Sequence, residues 1–183
     1  MSDREDLDEK FEKGNIFERL EIVELIEKSG DIEGARSRYE WLATNCESTD
    51  GAYEAARLAY ERSDYNVIPM WLHTAVGNGG DSEYFWDELM RLARSSDPAV
   101  RSKAKTAIRV TAAQDEPVAM IGLALLAMDQ GRQDTARHWY SAALKAEAEE
   151  HPELDEFCGG DLAEPEALDG ENWAEDLLDD NDE

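Results

Sequence analysis

The stretch from Pro117 to Ala143, PVAMIGLALLAMDQGRQDTARHWYSAA, constrains the fold of this chain more than any other. Proline suits the first turn of a helix, where its missing N–H costs nothing. Asp115, two residues earlier, is placed to act as an N-cap. From Val118 to Met128 the residues are almost all apolar. The small ones among them, Ala119, Gly122, Ala124 and Ala127, would let a neighbouring helix approach closely. Asp129-Gln130-Gly131 breaks the run, and Gly131 is predicted to be a left-handed cap. A second helix follows, with Ala136, Trp139, Tyr140 and Ala143 on one face at spacings of three and four.

Weaker copies of this pattern lie upstream. Gly30, Ala35 and Tyr39 each stand 101 residues before Gly131, Ala136 and Tyr140. Trp71, Leu72 and Ala75 stand 68 residues before Trp139, Tyr140 and Ala143. The first copy runs from Ile16, with Phe17, Leu20, Ile22, Val23, Leu25 and Ile26 as its apolar positions. Asp31 is predicted to cap its second helix, whose inward residues are Ala35, Tyr39 and Leu42. The second copy runs from Thr49, with Ala52, Ala55, Ala56 and Ala59 as its packing face. Ser63 replaces the turn glycine there, and Pro69 requires its second helix to start near Tyr65 or Asn66. The third begins near Glu83. Its second helix opens on the N-cap signal Asp97-Pro98, and Ser102 and Thr106 fill the alanine and aromatic places. The four starts, 16, 49, 83 and 117, are thus 33 or 34 residues apart.

This pattern resembles the tetratricopeptide or Sel-like helical repeat, a helix–turn–helix unit of about 34 residues. Leu123 and Ala124 match the large-then-small pair of the first helix, Gly131 the turn glycine, and Ala136, Tyr140 and Ala143 the alanine, aromatic and alanine of the second. The resemblance implies an all-α fold, a right-handed α-solenoid of about four antiparallel helix pairs that share a continuous core. The expected organisation is an N-terminal arm or capping helix over 1–15, a repeat domain over 16–150 (16–48, 49–82, 83–116 and 117–150) and an acidic, disordered tail over 151–183. For residues 3 to 13 two readings stand: a short helix with Leu7 and Phe11 on one side, or a solvated arm.

The resemblance also implies a concave groove lined by the first helices. Its middle would gather Tyr53, Arg57, Tyr60, Tyr84, Arg91 and Arg94, and its last repeat would offer Val118, Ile121, Leu125 and Met128. Tyrosine and arginine are favoured interface anchors, and arginine grips carboxylates with two parallel bonds. The other reading of these arginines is ordinary pairing with neighbouring Glu and Asp.

Charge narrows the partners. The net charge is −26, and the residues from Glu149 to Glu183 hold sixteen acids and no Lys or Arg. Phosphates would be repelled, so no direct nucleic-acid contact is expected. Within the tail, ENWAEDLL places Trp173, Leu177 and Leu178 on one side of a helical turn, a docking segment if it is not simply solvating chain. Cys46 and Cys158 form neither a disulfide framework nor a metal-ligand spacing, and a reduced cytoplasm is the default. No apolar run approaches the length of a membrane span.

No nucleophile elbow, Walker loop or zincin motif occurs. Gly77-Asn78-Gly79-Gly80-Asp81 lacks the ending of a phosphate loop, and His73, His138 and His151 form no ligand set. The expected function is a non-catalytic adaptor, with no cofactor or metal, that binds a peptide or protein and is regulated by its own tail. The alternative is an acidic inhibitor or nucleic-acid mimic that caps a basic protein.

Overall fold

A computed structural model describes residues 3–150 of the chain. Trp173, Leu177 and Leu178 lie outside the described residues. Among those described, every regular element is helical. The helices are α1 (Asp3–Lys13), α2 (Ile16–Lys28), α3 (Ile32–Asn45), α4 (Thr49–Glu61), α5 (Ile68–Gly77), α6 (Glu83–Ala93), α7 (Pro98–Ala112), α8 (Pro117–Asp129) and α9 (Gln133–Glu150). A single turn of 3-10 helix, Tyr65–Val67, leads into α5. The chain divides into two compact units, Met1–Phe85 and Trp86–Glu183.

Local chemistry sets the helix starts. Asn15 caps α2 through a reciprocal box: its side chain accepts from the backbone of Phe17 and Glu18, and Glu18 accepts from the Asn15 N–H. Asp31 accepts from Gly34 N and caps α3, Ser48 caps α4, and Asp97 caps α7 ahead of Pro98. Asp115 does not cap α8. It takes a left-handed φ of 60° and its N–H bonds back to Ala112 O, so it closes α7 instead. Glu116 holds the N-cap place without a capping bond.

The turns inside three of the helix pairs, α2–α3, α4–α5 and α8–α9, share one geometry. Gly30 (φ 92°) follows α2 and Gly131 (φ 74°) follows α8, and the next N–H bonds back five residues, Asp31 to Ile26 O and Arg132 to Ala127 O. Ser63 adopts the same left-handed conformation (φ 63°), with Asp64 N bonded to Ala59 O. A serine thus occupies a conformation that glycine adopts without strain.

In the first unit, α2 packs on α3, α3 on α4 and α4 on α5. The core is Val23, Ile26, Tyr39, Leu42, Leu58, Ile68 and Leu72, around the fully buried Ala52, Ala55, Ala56 and Ala59 of α4. Burying each large side chain is worth about 1.5–3 kcal/mol. Phe17 and Leu25, expected among the apolar positions of α2, stand largely exposed. The arm is helical and packs on α2. The Phe11 ring meets Trp41 edge-on at 5.6 Å, and Arg19 lies over both rings and donates to Phe11 O at 2.8 Å.

In the second unit, α7 packs on α8 and α8 on α9. The inward residues of α7 are Ala104, Ala107, Ile108, Thr111 and Ala112. Ser102 is exposed and Thr106 only half-buried, so the buried face is turned away from the expected register. Polar side chains at both expected places left α7 to bury its alanines and Ile108 instead.

Candidate functional site

The residues expected to form a groove fall in both units. In the first, Tyr53, Arg57 and Tyr60 lie along one side of α4. The Tyr53 hydroxyl accepts from Asp81 N at 2.7 Å and also donates to Asp81 O, so it fastens the segment after α5. Tyr60 sits 6.2 Å from Tyr65, ring to ring. Tyr84 is 82 % exposed. Arg57 is the best-connected cation here. Its three guanidinium nitrogens meet Glu27, Glu54 and Glu61, each at 2.6 Å. Partial burial opposes its charge, but the bonds to Glu27 and Glu54 win and raise its pKa above the usual arginine value. Beside it Tyr39 donates to Glu27 at 3.4 Å. Burial, then the negative charge of Glu54 and Glu27, pushes the Tyr39 phenol well above the tyrosine range.

In the second unit, Arg91 lies against Glu88 with bonds of 2.7 and 2.5 Å, and Glu88 is held below the usual carboxylate range by that bond. Arg94 meets Asp129 at 2.7 Å. The guanidinium groups of Arg57, Arg91 and Arg94 are therefore all met by carboxylates of this chain.

The groove positions expected of the last repeat, Val118, Ile121, Leu125 and Met128, belong to a surface built by α8 and α9. One side of α8 is core: Ala119, Met120, Leu123, Leu126 and Ala127 are buried. The other side is also apolar, and no described residue buries it. Val118, Ile121, Leu125 and Met128 recur at spacings of three, four and three, and all stand exposed, Met128 at 62 %. On α9, Ala136, Trp139 and Ala143 are buried as expected, whereas Tyr140 is 52 % exposed and Leu144 also faces outward. Between the two helices runs a groove of about 460 Å³, lined by Ile121, Ala124, Leu125, Met128, Gln133, Ala136, Arg137 and Tyr140. Arg137 pairs with Asp134 at 2.9 Å on its rim.

The exposure of Tyr140 has a clear physical cause. Tyr39, its counterpart 101 residues earlier, is 1 % exposed, because α4 packs on α3. Among the described residues no helix follows α9 to do the same. An all-round apolar helix such as α8 is normally buried. The signal for the groove was in the sequence: a complete buried face plus four further large apolar residues.

Among the described residues, no three His, Cys, Asp or Glu side chains are arranged to hold a metal ion. No described helix is long and apolar enough to cross a membrane. No family model matches the chain, and neither does any curated protein or solved structure.

Proposed function

We propose that the chain is a non-catalytic interaction scaffold, a tetratricopeptide-like α-solenoid that takes a peptide or protein through the apolar face of α8 and α9. The single observation that carries this reading is the exposed row Val118, Ile121, Leu125 and Met128 beside Tyr140 and Leu144. A contiguous patch of this kind on a soluble surface marks an interaction site. The repeat architecture is supported by first helices that begin at Ile16, Thr49, Glu83 and Pro117, and by the shared left-handed turns at 30, 63 and 131. The partner chemistry is a short amphipathic helix with an aromatic and an aliphatic anchor one turn apart, the usual occupant of such a groove. The net charge of −26 turns the scaffold away from nucleic acid. Arg57 is the weaker anchor, because a partner carboxylate would have to displace Glu27, Glu54 or Glu61 from it.

The test is a selection of displayed 16-residue peptides on the immobilised full chain, followed by titration of the winners. Winners carrying aromatic and aliphatic residues at i and i+4 should lose at least about tenfold in affinity on Leu125→Asp. Winners that bind the variant as well as the parent would place recognition elsewhere.

A further inference from the structure

We infer that the α8–α9 groove is occupied by this chain's own segment Trp173–Leu178, which lies outside the described residues. This rests on the preceding reading of the groove as a docking site and names its occupant.

Four observations converge. The first is the exposed apolar face itself, with Tyr140 uncovered where Tyr39 is covered by the following helix. The second is composition. Between Glu149 and Glu183, Trp173 is the only tryptophan, and Leu177 follows it at i+4, one helical turn on. An apolar groove takes apolar anchors from one face of a helix, and this segment supplies two, one aromatic and one aliphatic.

The third is charge. Residues 1–85 hold twenty acids against nine bases, residues 86–148 eight acids against nine bases, and residues 149–183 sixteen acids and no base. The part of the chain that carries α7, α8 and α9 is therefore the one part that does not repel an acidic segment, and the cation on the groove, Arg137, is held by a single exposed carboxylate, Asp134. The fourth is reach. Twenty-two residues separate Glu150, the end of α9, from Trp173. Extended, they span about 70 Å, whereas α9 is only about 27 Å long. The segment can return to any point of the groove, and a tether of this length holds it there at an effective concentration on the order of millimolar.

The chain already contains a device of this kind. α1 is short and acidic, with Leu7 and Phe11 at i and i+4, and it covers α2 with Phe11 set against Trp41 of α3. Trp173 and Leu177 in an acidic setting would do for α8 and α9 what Leu7 and Phe11 do for α2 and α3.

The experiment uses the full chain with labelled methyl groups, in the parent and in Trp173→Ala. A synthetic peptide of residues 168–183 is titrated into each. The methyl signals of Ile121, Leu125 and Met128 should shift between parent and variant. The peptide should restore the parent shifts in the variant, and should bind the parent at least about tenfold more weakly, because the tethered copy competes. Leu125→Asp, at an exposed position, should abolish both effects while the far-ultraviolet dichroism stays unchanged. If the peptide binds parent and variant alike, the groove accepts this chemistry but the tail does not occupy it, and the inference falls while the docking reading stands. If the peptide binds neither and the methyl signals ignore Trp173, the tail is not the occupant and the inference falls, while the docking reading is decided by the selected peptides and Leu125→Asp. If the parent shifts depend on protein concentration, the occupant is the tail of a second copy and occupancy within one chain is overturned.

Discussion

Arg57 does at one position what the arginines of the expected groove were meant to do for a partner. It holds three carboxylates, one from α2 and one each from the preceding and following turns of its own helix, with its side chain about a third exposed. Arg57→Ala leaves Glu27, Glu54 and Glu61 facing one another and should lower stability by about 1 kcal/mol in urea unfolding. Arg57→Lys should recover only part of it, since one ammonium cannot serve three separate carboxylates. Equal stability of all three chains would show the cluster to be idle. Tyr39 carries the pH signature of the same place. Its folded pKa is raised, so the folded state keeps the phenolic proton that the unfolded chain gives up near its ordinary value of 10. The resulting stability is complete below that pH and is lost as pH rises from there toward the folded value. In a spectrophotometric titration of the six tyrosines, one should ionise last, and Tyr39→Phe should remove that step. A uniform titration of all six would contradict the burial of Tyr39.

Between helices, packing distance decides more than pattern. A Cβ at Gly51 would lie 3.0 Å from Leu42 Cβ and Tyr39 O and 3.1 Å from Ala43 N. α4 therefore approaches the backbone of α3 closely, which its alanine face also permits. Gly51→Ala should force the pair apart and cost about 1–3 kcal/mol. Gly77, the last residue of α5, has open space where its Cβ would be. Gly77→Ala should be neutral or stabilise by up to about 1 kcal/mol, through helix propensity alone. Thermal unfolding of the two variants side by side checks the pair, and a loss at both positions would remove the close-approach argument. The turns show how far local chemistry carries. Gly30 and Gly131 were legible as left-handed closers, and so were the caps Asp31 and Asp97. The left-handed Ser63 was not, because nothing in a serine requires φ 63°; the flanking helices impose it.

Over the whole chain the acids outnumber the bases by 26. Ion pairs within one helix such as Lys10–Asp6, Lys28–Glu24 and Arg91–Glu88 are exposed, and each is worth little. Self-repulsion among the remaining carboxylates is the larger electrostatic effect, above all in residues 1–85. Sodium chloride raised from low ionic strength to about 0.5 M, where the Debye length falls to a few ångströms, should therefore raise the urea midpoint. A fall would mean that the pairs at Arg57 and Arg94 outweigh the repulsion.

The sequence by itself determined that the described chain is helical, where its first helices begin, that Asp31 and Asp97 cap α3 and α7, and that Gly30 and Gly131 close their helices in a left-handed turn. These properties depend on a few neighbouring residues, so spacing alone reveals them. Only the tertiary structure decided which side of each helix is covered. Tyr39 and Tyr140 occupy the same place in the pattern, yet one is buried and the other exposed, because α4 packs on α3 and no described helix packs beyond α9. Tertiary structure likewise turned the buried face of α7 away from Ser102, and it enclosed Arg57 with carboxylates from two helices. Burial and pairing are properties of neighbours distant in sequence, and periodicity carries no information about whether a given neighbour is there.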